Sequence, residues 1–357
     1  QMNLTIVPGA LADAGQDAEV CQGNEFAITD ASADNYSNLV WTHNGQGTLS
    51  NPLIIDPVYI PASGETGLVE LVLTVYGNGP CANASDSKYL SITPSVNVSA
   101  GNDHEICEGD TYMLNQASAS NYSSLLWTTS GSGVFDNPQA LNPVYTPSTS
   151  DIINGSVQLT ITAYANGSCN DLSDDMLISI TPQANVDAGS DKELCQDIPY
   201  TVDDASAEHY SGIIWYTDGN GSLSEANTLS PTYTPAQGET GVITLTLYAY
   251  AQGSCTDVSD VKYLTYTEAP DANAGLDKET CQGMVFTVST ASASNYSSLL
   301  WTSDGQGSIE NATSLTPSYI PSMSETGIVT LTLTAYANGS CQNVSDQMQL
   351  SITPQAN

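Results

Sequence analysis

The chain has 357 residues, with 4 Lys+Arg against 39 Asp+Glu and a formal net charge of -35; all four basic residues are Lys. Without clustered cations, nucleic-acid phosphates and anionic membrane surfaces are excluded as partners, and no apolar run is long enough to span a bilayer. At 40% hydrophobic and 12% charged, the composition is that of a packed protein whose polar surface is Ser, Thr, Asn and Gln, which suits strands and turns.

Read from the start, the first element is a strand over residues 4–7 that closes on Pro8. The stretch 2–8 recurs at 176–182 and at 348–354. Residues 1–8 therefore read as the last strand of a preceding repeat, and the chain as a slice of a longer array. Four repeats follow, at 9–94, 95–182, 183–268 and 269–357. Trp41, Trp127, Trp215 and Trp301 set their period, with intervals of 86, 88 and 86 by subtraction. Cys21, Cys107, Cys195 and Cys281 each lie 20 residues before a Trp; Cys81, Cys255 and Cys341 lie 40 after one, and Cys169 lies 42 after. Repeat two thus carries a two-residue insertion, placed in the loop 148–156. A period of this size marks tandem modules.

Inside each repeat the pattern is β throughout. Residues 157–164 and 329–336 alternate apolar residues with polar ones, chiefly Thr, one face for a core and one for water. Shorter strand-like runs fall at 112–114, 124–128, 144–146 and 176–180, separated by Asn-Pro, Asn-Gly, Ser-Gly and Ser-Asp turn signals. No window shows a helical period. About seven short strands in each repeat predict a β-sandwich.

Two Cys per repeat give the expected pairing Cys21–Cys81, Cys107–Cys169, Cys195–Cys255 and Cys281–Cys341, one bridge inside each module. Paired Cys without CxxC motifs point to an oxidising, extracellular compartment. Two isolated Cys per module do not supply the four ligands of a structural zinc. The Trp residues sit in apolar runs such as Leu125-Leu126-Trp127 and are expected in the core beside the bridge; a surface carbohydrate platform is the alternative.

The repeat runs Cys-x-Gly, Ala-Ser-Ala, Trp-x-x-x-Gly-x-Gly, Pro-x-Tyr-x-Pro and Leu-Thr-Leu-Thr-Ala-Tyr, seen in repeat four at Cys281–Gly283, Ala291–Ala293, Trp301 to Gly307, Pro317 to Pro321 and Leu331 to Tyr336. It resembles PKD-like domains, an immunoglobulin-like β-sandwich family, although the Phe and Asp of that family's Trp-x-Phe-Gly-Asp-Gly run are absent. The Cys-bearing form is similar to arrays in giant surface proteins of gliding Bacteroidetes, the SprB-type gliding adhesins. The resemblance implies an all-β chain of four tandem immunoglobulin-like sandwiches in an extended rod.

Nothing repeats that looks catalytic. His43, His104 and His209 occupy three different phases of the repeat, so no enzyme is expected. Two acidic clusters do recur. One is the module entry, with Asp13 and Asp17, Asp103, Asp187 and Asp191, and Asp277. The other follows the second Cys, with Asp86, Asp174, Asp260 and Asp346. Such carboxylates on Gly-containing loops suit calcium. If one module ends where the next begins, both clusters face a junction, and calcium there would stiffen it. The alternative is that these residues cap turns and supply solubility. No other cofactor is expected.

The leading expectation is a stalk segment of a very large secreted adhesin that spaces an adhesive tip from the cell, in gliding motility or surface attachment. Its partners would be neighbouring repeats, the cell-surface attachment machinery, and extracellular polysaccharide or surfaces reached through the tip. The alternatives are an array of glycan- or protein-binding modules, for which Tyr59, Tyr145, Tyr233 and Tyr319 are the recurring loop candidates, and a self-assembling filament subunit joined by strand exchange through residues 4–7.

Overall fold

A computed structural model describes residues 6–355; most of the strand expected at residues 4–7 lies outside them. Among the described residues there are 36 strands and one short helix, nine strands to a module rather than seven. In the first module they are β1 (Leu11–Asp13), β2 (Ala18–Cys21), β3 (Phe26–Ala27), β4 (Ser32–Asp34), β5 (Tyr36–His43), β6 (Thr48–Leu49), β7 (Val58–Ile60), β8 (Gly67–Gly77) and β9 (Ala84–Thr93). The surplus over the expectation is in two- and three-residue strands, too short to show a period of two.

One sheet has the order β2-β9-β8-β5 and the other β3-β7-β6, while β1 pairs with β4. β2 runs parallel to β9, pairing Cys21 with Thr93, and the remaining pairs are antiparallel. The same three sheets recur in every module. The fold is all-β, with immunoglobulin-like sandwiches in tandem.

The long strand β8 shows why these residues make a sheet. Val69, Leu71, Leu73 and Val75 are buried, while Glu70, Val72 and Thr74 between them are half-exposed. That alternation puts one face on the core and pins the register, because a one-residue slip would turn every apolar side chain to water. Each module has its own core around its Trp. Ahead of β5 a single residue reverses the chain in the left-handed region, Asn35 here and Asn121, His209 and Asn295 in the other copies; Asn adopts it at low cost.

The expected loop at 148–156 instead contains the helix α1 (Thr149–Asn154). Ser148 caps it reciprocally with Asp151, and Gly155 ends it with φ 73°. A Ser-x-x-Asp capping box followed by Gly is enough for one short helix, though too short to show a helical period.

By its contacts the chain divides into two compact units, 1–182 and 183–357. The first holds the core clusters around Trp41 and Trp127, the second those around Trp215 and Trp301.

Candidate functional site at the module joints

The two cysteines of one module lie at opposite poles of its sandwich. Cys21 ends β2 beside Thr93, the last residue of β9. Cys81 lies in the turn that leads into the start of β9 at Ala84. Along a strand of this length the ends are on the order of 30 Å apart, whereas a disulfide needs Cα atoms within about 7 Å. The expected pairing inside each module is therefore wrong. In the first unit Cys21 is bonded to Cys169 of the following module, with Cα atoms 4.9 Å apart. In the second unit Cys195 is bonded to Cys341, at 4.7 Å. Cys107 and Cys255 are also disulfide-bonded, and Cys81 and Cys281 are free thiols.

The bridge closes a small joint. Cys169 Sγ lies 3.5 Å from the Thr93 carbonyl oxygen and 3.6 Å from that of Pro94. The Ser168 N–H donates to Glu19 Oε1 at 3.2 Å, and the same oxygen accepts from the Thr93 hydroxyl. The first module thus supplies its β2 and β9 ends and the second its β-turn before Leu172. The second unit repeats this, with Cys341 Sγ 3.4 Å from the Thr267 carbonyl oxygen and 3.7 Å from that of Glu268. There a groove of about 600 Å³, lined by Leu194, Ile198, Ala269 and Val344 among others, runs beside the bridge.

The recurring carboxylates come together, but within a module. Asp86 accepts from the Ala14 N–H of its own entry loop, and Asp174, Asp260 and Asp346 accept from Ala100, Ala188 and Ala274, all at 2.8 Å. Asp17, Asp103, Asp191 and Asp277 accept from the N–H groups of Tyr89, Leu177, Tyr263 and Gln349 at the other end of the same module's sequence. Asp13 and Asp187 bond Gly15 and Gly189 two residues on. The expectation that the cluster after the second Cys meets the next module's entry loop is thus corrected. Both loops belong to one sandwich, and their Asp side chains tie backbone to backbone. Among the described residues no group of three or more His, Cys, Asp or Glu is arranged to hold a metal.

Trp41, Trp127, Trp215 and Trp301 are buried to 1–2% exposure, and each indole N–H donates to a backbone carbonyl, of Ile55, Leu141, Thr228 and Ser314. None is a surface platform. The core clusters around them contain no cysteine, because the bridges sit at the module ends.

Sequence reasoning missed a latch. The recurring Tyr of Pro-x-Tyr-x-Pro is fully buried, and its hydroxyl donates to a carboxylate six residues on: Tyr59 to Glu65, Tyr145 to Asp151, Tyr233 to Glu239 and Tyr319 to Glu325, at 2.8–2.9 Å. Glu65 also accepts from the Gln46 and Ala62 N–H groups, and the Tyr59 hydroxyl accepts from the Gly47 N–H. This explains the Gly-x-Gly after each Trp, since a Cβ on Gly45 or Gly47 would run into the Tyr59 hydroxyl and the Ile60 carbonyl. Burial pushes Tyr59, Tyr145 and Tyr233 up to about 12. Burial also acts to raise the Glu65 carboxyl, but the hydrogen bonds from Ala62, Gln46 and Tyr59 outweigh it and hold it below the usual range. The readable signal was the acid at a constant six residues after the Tyr.

A second missed feature alternates along the chain. Lys88 and Lys262 are buried, paired with Asp30 and Asp204 at 2.7 and 2.6 Å, and lie over the rings of Phe26 and Tyr200. At the same two positions the second and fourth modules carry Met176 with Gln116 and Met348 with Thr290. Of the three His, His43 packs edge-on against Tyr59 and His104 stacks on Tyr112, while His209 occupies the left-handed turn; no common site unites them.

No family model matches the chain, and no curated protein does. Among solved structures it is similar to the Sidekick-1 immunoglobulin domains 1–5 (12% identity, TM-score 0.33, covering 97% of this chain and 80% of that one). It is also similar to the eight N-terminal immunoglobulin domains of Down Syndrome Cell Adhesion Molecule (13%, 0.46, 97% and 49%). A third similar structure is protocadherin gamma B2 extracellular cadherin domains 3–6 (10%, 0.34, 98% and 100%).

Proposed function

We propose that the chain is a structural stalk segment of an extracellular surface protein, with consecutive sandwiches covalently fastened at their joints. The observation that carries this reading is the Cys21–Cys169 bond, repeated as Cys195–Cys341. A bond from one module to the next adds little to either core, but it removes swivel at the linker between them. That is the property a spacer needs and a tether does not. The disulfides support an oxidising compartment, and the high negative charge disfavours folding back, since like-charged modules repel across a screening length of about 8 Å.

The finer reading is a stalk of a giant Bacteroidetes adhesin of the gliding type, holding a distal tip toward polysaccharide or solid surfaces. It is supported by the motifs that resemble such arrays. Each module's Trp and latch Tyr are committed to its interior, which favours spacers over an array that grips ligand through those residues.

Small-angle scattering of the oxidised and reduced chain tests the stalk. The oxidised chain is expected to be elongated, and reduction to broaden its distance distribution. A compact, folded-back particle in both states would overturn the reading.

A further inference from the structure

The third module departs from the repeat on the outer face of its larger sheet. Residues 216, 248 and 250 there are all Tyr. The other modules carry Thr42, Thr128 and Thr302 at the first position and Thr74, Thr162 and Thr334 at the second; Tyr250 alone has counterparts, in Tyr76, Tyr164 and Tyr336. The strands Tyr210–Thr217 and Gly241–Ala251 pair so that Gly212 stands opposite Tyr250 and Ile214 opposite Tyr248. Trp215, Leu247 and Ala249, which alternate with them, are buried, so the three Tyr stand on the solvent side.

The cluster has an acidic rim. The rings of Tyr248 and Tyr250 meet edge to face with centroids 5.2 Å apart. Tyr216 is the largest influence on the Tyr250 hydroxyl, which it pushes up. Tyr216 and Tyr250 are 51% and 43% exposed. Asp257 accepts from the Tyr248 hydroxyl at 2.9 Å and from the Ala251 N–H at 2.8 Å, and it is exposed. Lys262, the one Lys of the adjoining strand, is buried on the opposite side of the sheet with Asp204.

We propose that this face of the third module binds an amine-bearing glycan, a glucosamine polymer by class, with sugar rings on the tyrosines and an ammonium at Asp257. Aromatic faces are electron-rich, so they attract both the C–H edges of a pyranose and a cation. An exposed acid with no Lys beside it calls for a positive group. A chain of net charge -35 repels polyanions and a second copy of itself. The inference is independent of the stalk reading, since one module of a spacer suffices to carry the site.

The other modules supply the variants. Tyr216→Thr/Tyr248→Thr restores the residues that the other three modules carry. Asp257→Asn copies Asn343, which keeps the bond to its own strand's N–H at 2.9 Å without the charge. The full chain and both variants are titrated calorimetrically with glucosamine oligosaccharides in mildly acidic buffer, where the amines are protonated. Parallel titrations use the N-acetylated oligosaccharides and an oligolysine of equal charge. The unaltered chain is expected to bind the amine sugar more tightly than either. The double Thr variant is expected to bind it about tenfold more weakly, and Asp257→Asn about threefold more weakly. Thermal melts check that the variants fold, and Asp257→Asn carries the test by itself if the double variant does not. Diffuse attraction to the acidic chain would leave the proteins equal, because Asp257 is one of 39 acidic residues. Equal affinities, no binding, or an acetylated sugar or oligolysine bound as tightly as the amine sugar would each overturn the proposal.

Discussion

Cys21 and Cys169 are 148 residues apart in sequence, and their Cα atoms are 4.9 Å apart. The bond joins the end of one sandwich to a turn of the next. Breaking it is therefore expected to free the joint while leaving each core folded.

The Cys21→Ser/Cys169→Ser variant measures this. Amide exchange is expected to quicken in residues 93–97 and 166–171, with protection around Trp41 and Trp127 unchanged. Loss of protection throughout either module would show that the bridge supports the cores instead.

The Tyr–carboxylate latch carries more of each module's own stability. Tyr59→Phe removes the donor to Glu65 and the acceptor for the Gly47 N–H, and is expected to cost about 1–3 kcal/mol. Glu65→Ala strips bonds from three donors and is expected to cost more. Urea melts of the two variants check the order, and a neutral Glu65→Ala would remove the latch from the account.

The same latch sets the pH limits. Glu65, Asp151, Glu239 and Glu325 all have depressed folded values, burial opposing the shift and hydrogen bonds to the charged form driving it. Their contribution is full above the ordinary unfolded range of roughly pH 4 and is lost as pH falls through the lower folded values. Tyr59, Tyr145 and Tyr233 are pushed up to about 12, chiefly by burial. Their contribution is full below the unfolded value of roughly 10 and is lost as pH rises toward 12. Tryptophan-fluorescence melts across pH are expected to fall on both flanks. Changing the four latch Tyr to Phe is expected to flatten the alkaline flank most, and the acid flank in part, because each Tyr hydroxyl is one of the bonds that hold its carboxyl down.

The Lys–Asp pairs invite an exchange between modules. Asp30→Ala leaves the buried Lys88 ammonium without its partner and is expected to cost about 1–3 kcal/mol, less than for a fully buried pair because the Asp30 side chain is 43% exposed. Lys88→Met with Asp30→Gln copies the arrangement of Met176 and Gln116, and is expected to be neutral or stabilising. Thermal melts compare them; a double variant as unstable as Asp30→Ala would mean the two modules' cores are not interchangeable.

Much of this was legible in the residues. The Trp spacing marks four modules, and the alternation around Leu71 and Leu159 predicts the long strands, because the side chain of every second residue must reach the core. The shortest strands and the helix at Thr149–Asn154 were not legible, since two to six residues are too few for a period to show. The partners of Asp86 and Glu65 were hidden for another reason: an acid in a turn looks the same whether it faces solvent, calcium or a backbone N–H.

By itself, the sequence determines the modules, their β character and the buried Trp, all of which follow from local periodicity and repeat spacing. Only the tertiary structure decides which cysteine meets which. In a periodic chain, pairing within a module and pairing with the next module differ by one whole repeat and leave the same pattern of spacings. The choice is made by where β9 runs: it carries Cys81 to one pole and Thr93, beside Cys21, to the other, so that the nearest thiol to Cys21 belongs to the next sandwich.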